Sequence, residues 1–240
     1  MCPSAPDVPS GGFDRTAWFY EPLARLYSLG QIEAAKASQL SFLNSGDRVL
    51  YVGVGAGEDA VRAASRGVEL TCIDLSDQML RRTRSKIERA GRSAELIRGD
   101  VFEHDRKGYY DVVAANFFLN CFERGPMRRM LRHLASLVRP GGRLLIADVA
   151  VPSGPFIHRA IHRVYNGVGI ALYWAMGLVP LHPIYDYRRY FDEAGLRCRS
   201  VQDFRVLSFG PVSFQAIEAE RIEQATQPQC SYFEKQSSTD

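Results

Sequence analysis

The chain has 240 residues, 24% of them charged and 46% hydrophobic, which suits one folded domain with a sizeable core. Its formal net charge of +3 is too small for a nucleic-acid footprint, so electrostatics assigns no partner class. The cysteines, Cys2, Cys72, Cys121, Cys198 and Cys230, lack the paired spacing of a metal site and suit reduced thiols in a cytoplasmic protein. No metal is expected, and no basic stretch followed by an apolar run marks a secretory signal at the start.

Residues 1–12, rich in Pro, Ser and Gly, predict a mobile tail. An ordered domain is expected over 13–221, followed by a second loose tail over 222–240. From Phe13 to Leu43 the apolar and aromatic residues, Trp18, Tyr20, Tyr27 and Ile32 among them, predict two helices broken near Gly30. They would form a cap over 13–45 that packs on a sheet or covers a ligand.

Strand and helix patterns then alternate. A strand over 48–52 runs into Gly53, Gly55 and Gly57, and a helix follows over 57–66. A second strand, 69–73, ends at Asp74, and Ser76 offers an N-cap for a helix over 77–90. A third, 94–98, precedes Gly99 and Asp100, and a fourth, 111–115, runs into Asn116 and Phe117. A helix over 127–138 stops at Pro140-Gly141-Gly142 before a fifth strand, 143–149. This order predicts an α/β fold: a Rossmann-like, mostly parallel sheet with helices on both faces, its ligand beyond the strands' C-terminal ends.

After Pro152 the pattern changes. The stretch 164–184 holds no charged residue and only one histidine, His182, but glycines, prolines and Asn166 interrupt it too often for a membrane span. It predicts an apolar lid or insertion over 152–186, flanked by Arg159, Arg163, Arg188 and Arg189. A helix over 186–194 stops at Gly195, and strands over 196–207 and 212–220 form an antiparallel pair that brings the sheet to seven strands.

A glycine turn between strand and helix brings backbone N–H groups and a positive helix end close to a ligand, and Asp74 stands where a carboxylate accepts both hydroxyls of a ribose. The glycines are spaced G-x-G-x-G, and Glu58 and Asp59 lie where a pyrophosphate would approach. A nucleoside cofactor without phosphates is therefore favoured over a dinucleotide.

Five segments in order resemble the class I S-adenosylmethionine-dependent methyltransferases: the glycine loop 53–57, Asp74 in CIDLSDQML, Gly99-Asp100-Val101, YDVVAANFF and LVRPGGRLLIAD. The resemblance covers about 13–220. It implies S-adenosylmethionine as cofactor, with Gly53, Gly55 and Gly57 at its methionyl part and Asp74 at its ribose. It also implies Leu75 and Met79 on the adenine face, Asp100 and Val101 at the adenine edge, and Asn116 and Phe117 along the step to the acceptor. The stretch FDRTAWFYEPLARLYSLG is similar to the ubiquinone/menaquinone C-methyltransferase group and its phospholipid and small-molecule relatives, which implies that Tyr20 and Tyr27 close over the cofactor. One position departs: the acid usual two residues before the first glycine is Tyr51 here, with Glu58 or Asp59 as its replacement.

Methyl transfer from a sulfonium is an in-line displacement that asks chiefly for alignment and exclusion of water. A base is needed only for a hydroxyl or acidic carbon acceptor, and His182 stands first, then His158 and His162, with Tyr185 and Tyr187 as polar positioners. The apolar lid favours a hydrophobic or amphipathic small molecule, quinone-like or phenolic. The alternatives are a phospholipid amine, with peripheral membrane contact through the arginines, and a catalytically silent binding protein, given Tyr51. A nucleic-acid substrate is not expected, because the loop after the fourth strand reads Asn116-Phe117-Phe118-Leu119 instead of Asn-Pro-Pro-Tyr.

Overall fold

A computed structural model describes residues 27–55, 57–175 and 183–222. Its strands are β1 (Arg48–Val52), β2 (Glu69–Asp74), β3 (Glu95–Arg98), β4 (Tyr110–Asn116), β5 (Val138–Val149), β6 (Leu196–Phe204) and β7 (Phe214–Arg221). They make one seven-stranded sheet in the order β3-β2-β1-β4-β5-β7-β6. β1 to β5 pair in parallel, and β7 runs antiparallel to both β5 and β6. The strand order reverses between β1 and β4, so the crevice of an open α/β sheet falls beside Gly53 and Asn116.

The helices are α1 (Gln31–Ser38), α2 (Glu58–Ala64), α3 (Asp77–Arg89), α4 (Arg124–Leu137) and α5 (Phe156–Ala175). Strand alternation divides the core between the two faces of the sheet. Leu50, Val52, Val113 and Ile146 pack with α4 residues Met127, Met130, Leu131 and Leu134 on one face. Val49, Tyr51, Cys72 and Val112 pack with Ala60, Ala63 and Ala64 of α2 on the other, where α1 continues the cover through Ala35 on Ala147 and Ala216.

Local chemistry explains the ends of α3. Ser76 Oγ accepts the Met79 N–H at 3.2 Å, and Met79, Leu80, Thr83 and Ile87 form the buried face. Gly91, at φ +66°, then turns the chain out of the helix.

Two elements differ from the sequence expectation. The fifth strand starts at Val138 rather than at 143: Tyr110 pairs with Val138 and Val112 with Arg143, so Pro140-Gly141-Gly142 is taken up in a bulge of β5. A side chain at Gly142 would meet the Asp111 carbonyl at 2.8 Å, so the crossing needs glycine. The stretch 186–194 forms two 3-10 turns, Tyr187–Tyr190 and Asp192–Ala194, instead of one α-helix. Asp186 there takes the Arg188 side chain two residues on, a pairing that α-helical spacing does not bring together.

Candidate active site

The C-terminal ends of β1, β2 and β4 meet at the glycine loop, where the three glycines do different work. All three have positive φ, of +60°, +56° and +84° for Gly53, Gly55 and Gly57. A Cβ on Gly53 would lie 2.5 Å from the Phe118 ring, and one on Gly57 would lie 2.9 Å from Thr83 Cα. Those two permit close packing. A Cβ on Gly55 meets nothing within 4 Å, so this is the glycine whose backbone faces open space. Thr83 Oγ1 donates to the Gly55 carbonyl at 3.4 Å and steadies the turn.

Asp74, the last residue of β2, ties the loop to the next strand. Its Oδ2 accepts the Gly55 N–H at 3.2 Å and its Oδ1 accepts the Ser76 N–H at 2.8 Å. Leu75 beside it is an exposed apolar side chain, while Met79 is buried behind. After β3, Asp100 caps the short turn Val101–Glu103 by accepting the Phe102 N–H at 2.9 Å, and Val101 is buried beneath it.

At the end of β4, Asn116 Oδ1 accepts the Ala147 N–H at 3.2 Å, but its Nδ2 is buried with no hydrogen-bond partner. Phe117 then sits at φ +52°, a strained conformation for a residue with a side chain. Its N–H donates to the Ala147 carbonyl at 2.7 Å, and its ring packs edge-on against Phe214 and lies 5.8 Å from Lys36 Nζ. The open side of Gly55, the Asp74 carboxylate, the exposed Leu75 and the unpaired Asn116 amide fit a ligand with a ribose, a flat base and a polar amino-acid tail.

Tyr51 is buried among Ala60, Ala63, Ala64 and Cys72. The inward side of α2 is all alanine, and the tyrosine ring fills the space those small residues leave. Burial, with the Asp59 charge beside it, pushes its hydroxyl well above the usual tyrosine range. Asp59 pairs with Lys36 at 3.1 Å, and that ammonium lies 5.8 Å from the Phe117 ring, whereas Glu58 pairs with Lys86 of α3. The two acids that sequence left equivalent therefore point to different partners.

Tyr27 meets α5. Its ring stacks on Tyr165 with centroids 4.5 Å apart, and its hydroxyl donates to Asn166 Oδ1 at 3.2 Å and the Tyr165 carbonyl at 3.1 Å. It also packs, as Phe117 does, against the apolar cluster of Ala147, Phe214 and Ala216. Tyr20 and His182 lie outside the described residues. Tyr185 is buried in the core with Leu119, Phe122 and Tyr187. His162 is fully buried and neither ring nitrogen makes a well-formed hydrogen bond. Burial lowers its pKa, an effect the Ala150 backbone only partly opposes, so it is neutral at pH 7.

Sequence reasoning passed over Asp148, a buried acid at the end of β5. Its Oδ2 accepts the Tyr187 hydroxyl at 2.8 Å, and its Oδ1 accepts the Val149 N–H at 2.8 Å. Burial pushes the nearby Cys121 thiol up to about 12, with the charges of Asp148 and Asp74 adding to the effect. The available signal was a lone acid in the apolar run LLIADVA.

This sheet order, with its glycine loop after β1 and the acid that ends β2, defines the class I methyltransferase architecture. Residues 49–142 match the family model described as a methyltransferase domain. The phosphatidylethanolamine N-methyltransferase of Cereibacter sphaeroides is 32% identical over 151 residues, covering 60% of this chain and 73% of that protein. The 27-O-demethylrifamycin SV methyltransferase of Amycolatopsis mediterranei is 31% identical over 167 residues, 67% of this chain, and the chain spans 58% of that relative's length. The solved 1,6-didemethyltoxoflavin-N1-methyltransferase of Burkholderia thailandensis shares the fold, with a TM-score of 0.66 at 16% identity over 93% of each chain. The chain belongs to the S-adenosylmethionine-dependent methyltransferases. Its cofactor is the cofactor of that family, S-adenosylmethionine.

Proposed function

We propose that this protein transfers the methyl group of S-adenosylmethionine to a hydrophobic or amphipathic small molecule, with a quinone-like or phenolic metabolite as the favoured acceptor. The observation that carries this reading is the pair of aromatic side chains, Tyr27 and Phe117, around the turn that ends β4. Tyr27, held by α5, and Phe117, at the strained turn that ends β4, both pack against the buried cluster of Ala147 and Phe214. An apolar acceptor set against these two rings would exclude water from the reacting centre.

When bound, S-adenosylmethionine supplies an electrophilic methyl group on a sulfonium. Asp74 and the backbone at Gly55 would hold the ribose and methionyl parts, Leu75 and Met79 the adenine face, and Asp100 with Val101 the adenine edge. Asn116 and Phe117 would line the step between cofactor and acceptor. For a hydroxyl or acidic carbon, His182 is the first base to test, with Tyr185 as positioner. His162, buried and neutral, is the second.

The test is release of S-adenosylhomocysteine, with mass spectrometry of labelled product, across phenols, quinols and phosphatidylethanolamine. Label in a phenol or quinol supports the reading. Label in the lipid would favour a phospholipid amine acceptor, which the Cereibacter relative supports by its name. Cofactor binding with no turnover across such a panel would favour a silent binding protein.

A further inference from the structure

The helix α5 is amphipathic in the inverted sense. Over its described positions the buried residues are His162, Asn166 and Gly169, and Tyr165 stacks on Tyr27, so the side facing the protein there carries polar, small and aromatic residues and no aliphatic one. Its solvent side carries Ile157, Ile161, Val164 and Val168, spaced i, i+4, i+7 and i+11 along a single stripe. With Phe156 at the start of the helix, these side chains are between 48% and 75% exposed. Arg159 and Arg163, also exposed, lie beside the stripe, and the helix contains no acidic residue.

Charge decides what this surface fits. A second copy packed on the same helix through a two-fold axis would gather the arginines of both copies, with no acid on either helix to neutralise them. An anionic lipid surface pairs with those arginines and accepts the apolar stripe at its acyl boundary. The helix is about 30 Å long at 1.5 Å per residue. Yet no helix among the described residues is long and apolar enough to cross a membrane, which leaves α5 lying in the interface plane.

We propose that α5 docks the protein on an anionic membrane surface, with Ile157, Ile161, Val164 and Val168 entering the headgroup–acyl boundary and Arg159 and Arg163 meeting lipid phosphates. Docking is separate from the choice of acceptor and holds whether or not a lipid is methylated.

The experiment is flotation of the full chain with vesicles of phosphatidylcholine alone, or with a third of phosphatidylglycerol, alongside calorimetric titration with S-adenosylmethionine. The protein floats with the anionic vesicles and is released by high salt. Replacing both arginines by alanine weakens vesicle binding about thirtyfold, from roughly fivefold for each basic residue at the surface. The double variant Ile157→Glu with Val164→Glu stays in the soluble fraction, and both variants keep the wild-type affinity for S-adenosylmethionine, which shows that they are folded. Absence of wild-type flotation overturns the proposal, as does flotation of the glutamate variant equal to wild type. A concentration-dependent dimer that the glutamate changes abolish, without vesicle binding, would assign the stripe to a second copy instead. Loss of cofactor binding in the wild-type chain would count against the methyltransferase reading alone.

Discussion

Replacing Gly55 by alanine separates the loop's contact with ligand from its role in folding. Gly55 sits at φ +56°, where a side chain costs about 1 kcal/mol, and its added Cβ touches nothing in the protein. The free protein should therefore lose about 1 kcal/mol of stability, or roughly 2–4 °C in Tm for a chain of this size. A methyl group intruding on a packed contact costs about 1–3 kcal/mol, so S-adenosylmethionine should bind roughly 5- to 150-fold more weakly if it lies against this backbone. Gly91 is the control, because it too has positive φ, +66°, and open space at its Cβ, but it ends α3 away from the loop. Gly91→Ala should show the same stability loss with unchanged affinity. Calorimetric titration and urea unfolding of the two variants read both quantities. Wild-type affinity in Gly55→Ala, with the stability loss present, would refute the claim that the cofactor touches this part of the loop.

Asp74→Asn keeps the shape but removes the charge and one of the acceptors facing Gly55 and Ser76, and cofactor affinity should fall roughly ten- to hundredfold; unchanged titration curves would remove Asp74 from the ribose site. Asp59→Ala should weaken cofactor binding more than Glu58→Ala, since the partner of Asp59, Lys36, sits beside the Phe117 ring whereas the partner of Glu58 is Lys86 on α3, and equal effects by calorimetry would overturn that assignment. Tyr187→Phe takes a donor from the buried Asp148 carboxylate and should cost about 1–3 kcal/mol in urea unfolding, whereas no measurable change would show that this bond adds nothing. At Asp111 burial raises the carboxyl pKa, but hydrogen bonds from Arg139 and from the Arg48 backbone and side chain outweigh it, taking the value from 3.8 to about 2. The folded value lies below the unfolded one, so this stabilisation is fully present above about pH 4 and is lost as pH falls toward 2. Arg139→Gln should raise the midpoint of acid unfolding, and an unmoved midpoint would show that the pair contributes nothing.

The parallel core of the sheet, the glycine turn and the acid after β2 were legible from sequence because each rests on a signal a few residues long. Alternating apolar strands end at glycine or Asp74, and Ser76 and Gly91 bracket one helix. What escaped depends on pairs distant in the chain. The bulge in β5 needs the register of β4 against it, and the difference between Gly55 and its neighbours needs Phe118 and Thr83 in place.

Sequence by itself determined the alternation of strands and helices, since turn chemistry and strand periodicity are local properties of the backbone, and the resemblance of five short segments pointed to the family and to the one departure at Tyr51. Only tertiary structure decided what Tyr51 does, which is to fill the space left by three alanines of α2. It also decided that Asp148 is buried against Tyr187, and that the helix after β5 buries His162 and Asn166 while leaving Ile157, Ile161, Val164 and Val168 in solvent. A periodic pattern marks the two faces of a helix, but which face is buried depends on the neighbours that long-range folding brings to it.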